Sequence, residues 1–254
     1  MKTFTYIFSR IWGVWFYLWL LIIFFLLYPI FAISLSRPKW YPIAHKARRI
    51  WGKALFRVSL MFYKVTYEKP IPKNRSFIYC SNHASYADIP MMTIAVPGFF
   101  NYMAKAELMK VPLFGKFFRT IDIPVNRKSM SDSFKAFQRA AYHVQKGHSI
   151  VLYPEGTIPD HTPHMKKFKN GPFKLAIENK IPIIPITFAD NWRLLPDDGR
   201  FTALPGVLRA YVHQPVETKD LSLEDIDKLN KQVHDIIHNK LVDFGVLKQH
   251  KNEN

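Results

Sequence analysis

The stretch Ser81-Asn82-His83-Ala84-Ser85-Tyr86-Ala87-Asp88 sets an imidazole and a carboxylate five positions apart. On a helix those two side chains would diverge by about 140°, so contact between them requires a loop that curls Asp88 back beneath His83. A carboxylate that accepts the proton of one ring nitrogen fixes the tautomer. The other nitrogen is then free to take a proton from an alcohol. The pair thus reads as a general base. Local context supports a second reading, in which Asp88 is a helix N-cap and His83 a loop histidine.

The elements that must position the pair follow from the pattern around it. Phe77-Ile78-Tyr79-Cys80 is a short apolar run of the kind that forms a buried strand, predicted over 76–80. Pro90 suits the first turn of a helix, predicted over 90–94. The pair then falls in the connection after a strand, where open α/β sheets hold their chemistry. Further strands are predicted over 99–103, 120–125, 149–153, 182–188 and 208–213, alternating with helices as in an α/β domain. A helix over 131–146 would bury Phe134, Phe137, Ala141 and Val144 and stop at Gly147. Another follows Pro172. A last helix over 223–244 takes Ser222 as N-cap and buries Ile226, Leu229, Val233, Ile236 and Ile237. The polar tail 248–254 reads as frayed.

Two more stretches end at predicted strand edges. Lys105-Ala106-Glu107-Leu108 and Asn126-Arg127 set cations at both ends of one passage, and an arginine fork there suits a phosphate. A surface arginine is the plainer reading. Tyr153-Pro154-Glu155-Gly156-Thr157 follows an apolar run, and a glycine beside a short polar residue lets backbone N–H groups approach a ligand. A strand-terminating turn would look the same. Lys166, Lys167 and Lys169 come next, as phosphate ligands or as a solvated face. His161 and His164 lack a partner array of Cys or carboxylates, so no metal site is expected.

Charge and hydropathy narrow the class. The chain of 254 residues has 36 basic and 19 acidic side chains, a net charge of +17, and one cysteine. Cys80 reads as a small buried residue, and the excess of cations calls for an anionic partner. From 11 to 36 there is no Lys, Arg, Asp or Glu, whereas about 20 apolar residues suffice to cross a bilayer. Trp12, Trp15, Tyr17 and Trp19 suit one interface, Trp40 and Tyr41 the other. The run exceeds the usual length of a signal-peptide core. Lys2 and Arg10 precede it and Arg37, Lys39, Lys46, Arg48, Arg49 and Lys53 follow, which places the body on the cytoplasmic side. Pro29 leaves open a re-entrant element instead of a span. Residues 44–63 read as a basic amphipathic helix on an anionic surface, with an ordinary packed helix as the alternative. The division expected is an anchor over 1–66 and an α/β domain over 67–254.

Together these blocks resemble the membrane-bound 1-acyl-glycerol-3-phosphate acyltransferases. Asn82-His83, Ser85 and Asp88 match that family's NHxSxxD block, and Lys105 to Leu108 with Asn126-Arg127 look like the second. Tyr153 to Thr157 look like the third, and Ile184-Pro185-Ile186 is similar to the fourth. The resemblance implies a mixed sheet flanked by helices, glycerol-3-phosphate acyltransferase-like, behind an N-terminal membrane helix. It implies His83 as the base that activates a lysophospholipid hydroxyl toward an acyl thioester, with Asp88 orienting the ring. Lys105, Arg127, Glu155, Gly156 and Thr157 would then hold the acceptor's glycerol phosphate. No cofactor is expected beyond the co-substrate, acyl-CoA or acyl-acyl carrier protein. Two departures stand out. Ile158 occupies a place where the family carries an arginine, and Arg119-Thr120 stands where many relatives carry glycine.

The leading expectation is therefore acyl transfer to lysophosphatidate, giving phosphatidate. A phosphate-free acceptor, such as a lyso amino-acid lipid, would explain Ile158. A non-catalytic, membrane-anchored protein that binds anionic lipid or nucleic acid would explain the charge alone; with a membrane to account for the cations, no nucleic acid is expected.

Overall fold

The computed structural model describes residues 2–248; the expected frayed tail lies, beyond Lys248, outside them. A seven-stranded sheet in the order β1-β7-β6-β2-β5-β3-β4 organises the chain. Its strands are β1 (Met61–Tyr67), β2 (Ile78–Ser81), β3 (Phe100–Lys105), β4 (Ile123–Val125), β5 (Ser149–Leu152), β6 (Ile183–Phe188) and β7 (Gly206–Val212). β6, β2, β5, β3 and β4 run parallel, while β7 pairs antiparallel with β6 and parallel with β1. Every residue of β2, β5 and β6 is buried. Helices cover both faces of a parallel sheet, so its central strands are continuous apolar runs.

The helices are α1 (Lys2–Ser34), α2 (Tyr41–Val58), α3 (Asp88–Ala95), α4 (Gly115–Thr120), α5 (Met130–Gln145), α6 (Gly171–Glu178), α7 (Asn191–Leu194) and α8 (Ile226–Asp243). On one face of the sheet, Phe16 of α1, Leu55 and Phe56 of α2 and Met91 of α3 pack with Tyr79, Val151 and Ile184. On the other, Ala136 and Val144 of α5, Phe173 of α6 and Leu229 and Val233 of α8 pack with Ile78, Ile150 and Ile183.

Several expectations are corrected. The division at residue 66 fails, because β1 pairs along its whole length with β7 and α2 is part of the core. The end of α2 carries no glycine to announce it; Leu60 takes up the left-handed conformation with φ 49°, which glycine usually supplies. The basic helix expected over 44–63 ends at Val58 and is a packed helix. Its Arg48 is buried against Asp122 at 2.7 Å, and Arg49 donates to the carbonyls of Thr93 and Val96. Lys46, Lys53 and Arg57 alone of its central cations face outward. The strand expected from 120 starts at Ile123, because 115–120 is helical and sets Phe117 against Phe31.

In α5 the inward residues are Ala136, Ala140 and Val144, and Phe134 is exposed. The stripe is rotated because small alanines let the helix approach the sheet closely, whereas Phe137 packs sideways onto Gly171. In α8, Leu229, Val233, Ile237 and Leu241 form the buried stripe, with Ile226 and Ile236 only half-buried. Ser222 does cap this end, through a capping box with Asp225.

By length and composition α1 suffices to cross a bilayer. Its inner face is nevertheless docked lengthwise on the domain. Trp12 Nε1 donates to the Ser59 carbonyl at 3.0 Å, Trp51 Nε1 to that of Leu20 at 3.3 Å, and Lys116 Nζ to that of Ala32 at 2.8 Å. Pro29 lies within the helix without ending it. The opposite face exposes Ile11, Leu18, Phe25, Leu26, Ile30 and Ile33.

Candidate active site

Four neighbouring parallel strands, β2, β5, β3 and β4, release their chains at one edge of the sheet. Cys80 pairs with Leu152, Tyr102 with Val151, and Lys105 with Val125. This common edge brings His83, the turn 153–157, Lys105 and Arg127 into one row, as the strand-end rule requires.

Asn82 extends the β2 pairing with its side chain: Nδ2 donates to the Phe188 carbonyl at 2.9 Å, and Oδ1 accepts from Phe188 N at 2.8 Å. Ser85 Oγ accepts from Ala87 N and donates to the Leu195 carbonyl, closing the loop. Asp88 then lies under His83 and is fully buried. Its Oδ2 accepts from Ala84 N at 2.7 Å and Ser85 N at 3.0 Å, and stands 2.8 Å from His83 Nδ1. An ionised carboxylate only accepts, so Nδ1 carries the proton and Nε2 keeps its lone pair. Asp88 is the first residue of α3, with Ala87 at the N-cap position and no side-chain cap there. Its carboxylate organises the loop and the imidazole; the N-cap reading does not describe it.

The third block supports the ring from the other side. Tyr153 stacks flat on His83, with centroids 4.0 Å apart and 18° between planes. Glu155 is buried, and its two oxygens accept from His83 N and Lys166 N, each at 2.8 Å. Burial lifts its carboxyl from 4.5 to about 7, against the pull of those two N–H groups. Gly156 has φ 79°, and a Cβ there would sit 3.0 Å from the Lys169 side chain, which lies across the turn. Glu155 therefore ties two loops together, and the cation beside the turn is Lys169. Thr157, Lys105 and Arg127 are exposed at the edge, with Glu107 the charged neighbour that acts on Arg127. Among the described residues no three His, Cys, Asp or Glu side chains converge as metal ligands.

Asn191 was not foreseen. From α7, after β6, its Nδ2 donates to Asp88 Oδ1 at 2.7 Å. No local motif surrounds it; the signal is its position just past a strand of the same edge. Tyr153 lay inside a recognised block, but its stacking on His83 depends on the β2–β5 pairing.

A family model described as Acyltransferase matches residues 63–189, half of the chain. The chain belongs to the acyltransferase family. Similar members include an uncharacterized acyltransferase of Schizosaccharomyces pombe, 28% identical over 87% of this chain and 82% of its own length. The 1-acyl-sn-glycerol-3-phosphate acyltransferase of Saccharomyces cerevisiae is 27% identical, over 79% of this chain and 68% of its own. The protein so named in Chlamydomonas reinhardtii is 27% identical over 67% of the chain, which spans 51% of that acyltransferase's length. Among solved structures, the 1-acyl-sn-glycerophosphate acyltransferase PlsC of Thermotoga maritima superposes with a TM-score of 0.77 at 24% identity. That likeness covers 95% of this chain and 98% of that one. This acyltransferase thus has the mixed, helix-flanked sheet of that fold, as its sequence implied.

Proposed function

We propose that this acyltransferase moves a fatty acyl group from an acyl thioester to the free hydroxyl of lysophosphatidate, giving phosphatidate. The observation that carries the reading is His83, held through Nδ1 by buried Asp88 and leaving Nε2 at the partly open sheet edge. Nε2 takes the hydroxyl proton as the oxygen attacks the thioester carbonyl. The tetrahedral adduct then expels the thiolate, and the imidazolium returns the proton to the sulfur. A positioned base of this kind contributes about 10²–10⁴-fold. Asp88 stabilises the imidazolium while it lasts.

The relatives named above as 1-acyl-sn-glycerol-3-phosphate acyltransferases support the acceptor. Arg127 and Lys105 supply cations for its phosphate, and Lys169 over Gly156 stands in for the arginine that Ile158 replaces. Glu155 holds the turn rather than the acceptor. The donor is acyl-CoA or acyl-acyl carrier protein, both anionic and suited to a basic edge. The outer face of α1 seats the protein on a bilayer, with the catalytic edge on the cytoplasmic side. Because its inner face is docked lengthwise, the helix lies along one leaflet instead of crossing.

Purified protein in detergent, given lysophosphatidate and an acyl thioester, should yield phosphatidate by mass spectrometry. Ile158 favours one rival, a phosphate-free lysolipid. A panel that sets lysophosphatidate beside a lyso amino-acid lipid separates them, and faster turnover of the latter overturns the phosphate reading.

A further inference from the structure

Met130 is 92% exposed and Phe134 61%, and among the described residues Met130 is the most exposed large apolar side chain. They lie one turn apart on the first half of α5, whose N-cap Ser129 follows Arg127 and Lys128 directly. Phe137 continues the stripe and touches Gly171 at the start of α6, and Lys169 just before it crosses Gly156. The stripe is therefore continuous with the catalytic edge.

Contact with a bilayer through α1 does not account for this stripe. The apolar face of α1 belongs to one layer of the sheet and α5 to the opposite layer. Exposed Arg127 and Lys128 directly precede α5, exposed Lys135 and Arg139 lie on it, and exposed Lys167 and Lys169 lie on the segment leading into Gly171, which Phe137 touches. Two acids lie among these cations: Asp132, which accepts from Asn126 Nδ2 at 2.8 Å, and Glu107, which acts on Arg127. An apolar knob flanked by an excess of cations complements an acidic surface with a small apolar cleft. A nucleotide carrier would use the cations alone. Two apolar side chains that protrude together one turn apart fit a partner with a recess of its own.

We propose that the exposed half of α5, with Met130 and Phe134 as anchors among these cations, docks a small acidic carrier protein that presents its thioester-linked acyl chain to His83. The proposal rests on the acyl-transfer reading and selects one donor class within it.

The test compares acyl-acyl carrier protein with acyl-CoA of the same chain length, using the full chain in detergent. Wild type is set against Phe134→Asp, Met130→Asp and Lys135→Glu, none of which removes a buried contact. Binding of the acyl carrier protein is measured alongside turnover. Each variant should lower kcat/KM for the carrier-protein donor by about tenfold, weaken its binding in parallel, and leave acyl-CoA within about twofold. Equal losses with both donors, or no loss with either, overturn the proposal. Loss of vesicle binding in these variants overturns it too, and assigns the stripe to a bilayer. If no donor is turned over, the acyl-transfer reading fails, and carrier binding by wild type against Phe134→Asp still decides the docking surface.

Discussion

The backbone N–H of His83 donates to Glu155 Oε1 at 2.8 Å, so a buried carboxylate from the β5 loop fixes the β2 loop that carries the base. Burial lifts Glu155 to about 7. Its folded pKa exceeds its unfolded one, so the folded state binds the extra proton between pH 4.5 and 7, and stability falls as pH rises through that window. The shift corresponds to about 3 kcal/mol once the group is ionised. Thermal unfolding across this range should show a downward slope in wild type that Glu155→Gln lacks. Equal slopes would mean that Glu155 does not titrate there.

Asp88→Asn keeps the size of the side chain but replaces an acceptor-only group that serves Ala84 N, Ser85 N and His83 Nδ1 through one oxygen. The ring loses its tautomer control, and kcat should drop by about 10²–10⁴ with little change in KM. Asn191→Leu removes only the donor to Oδ1 and should cost less, again in kcat. Steady-state kinetics of both variants checks the order; a pure KM effect would assign the pair to binding.

How much of this was legible beforehand differs by residue. The spacing of His83 and Asp88 showed that contact between them needs a loop, but it left the N-cap reading equally open; the other blocks and the family resemblance tipped it toward a base. The roles of Glu155 and Asn191 were not legible, because each depends on which strands are neighbours. A carboxylate in a glycine turn looks like a ligand group until the β2–β5 pairing aims it at a backbone N–H. The boundary of the membrane segment was misread for a similar reason: Arg48 looks like a surface cation until Asp122, buried beyond α4, is set beside it.

That ion pair gives a stability prediction. Arg48 Nη1 and Asp122 Oδ2 are 2.7 Å apart and both side chains are nearly inaccessible. Burial pushes the Asp122 carboxyl up while Arg48 opposes it. Arg48→Met strands a buried carboxylate and should cost about 3–5 kcal/mol, whereas adding Asp122→Leu should recover much of the loss. Unfolding of the two variants in detergent measures it, and a double variant no better than the single would contradict the pairing.

Tyr153 offers its ring to His83, and among the described residues its buried hydroxyl has no hydrogen-bond partner. Tyr153→Phe should therefore keep both activity and stability. Tyr153→Leu removes the flat support, worth about 0.5–1.5 kcal/mol in aromatic pairs, and should lower kcat by up to about tenfold. Equal kinetics for Phe and Leu would rule out a positioning role for the ring.

The most direct measurement is phosphatidate formation from lysophosphatidate and an acyl thioester by wild type and His83→Ala, at matched folding and matched lysolipid binding. Loss of at least about 10²-fold in kcat with binding retained is the expected result. Turnover by His83→Ala close to wild type would contradict the assignment of His83 as the base, and with it the reading of the whole strand edge as an acyl-transfer site.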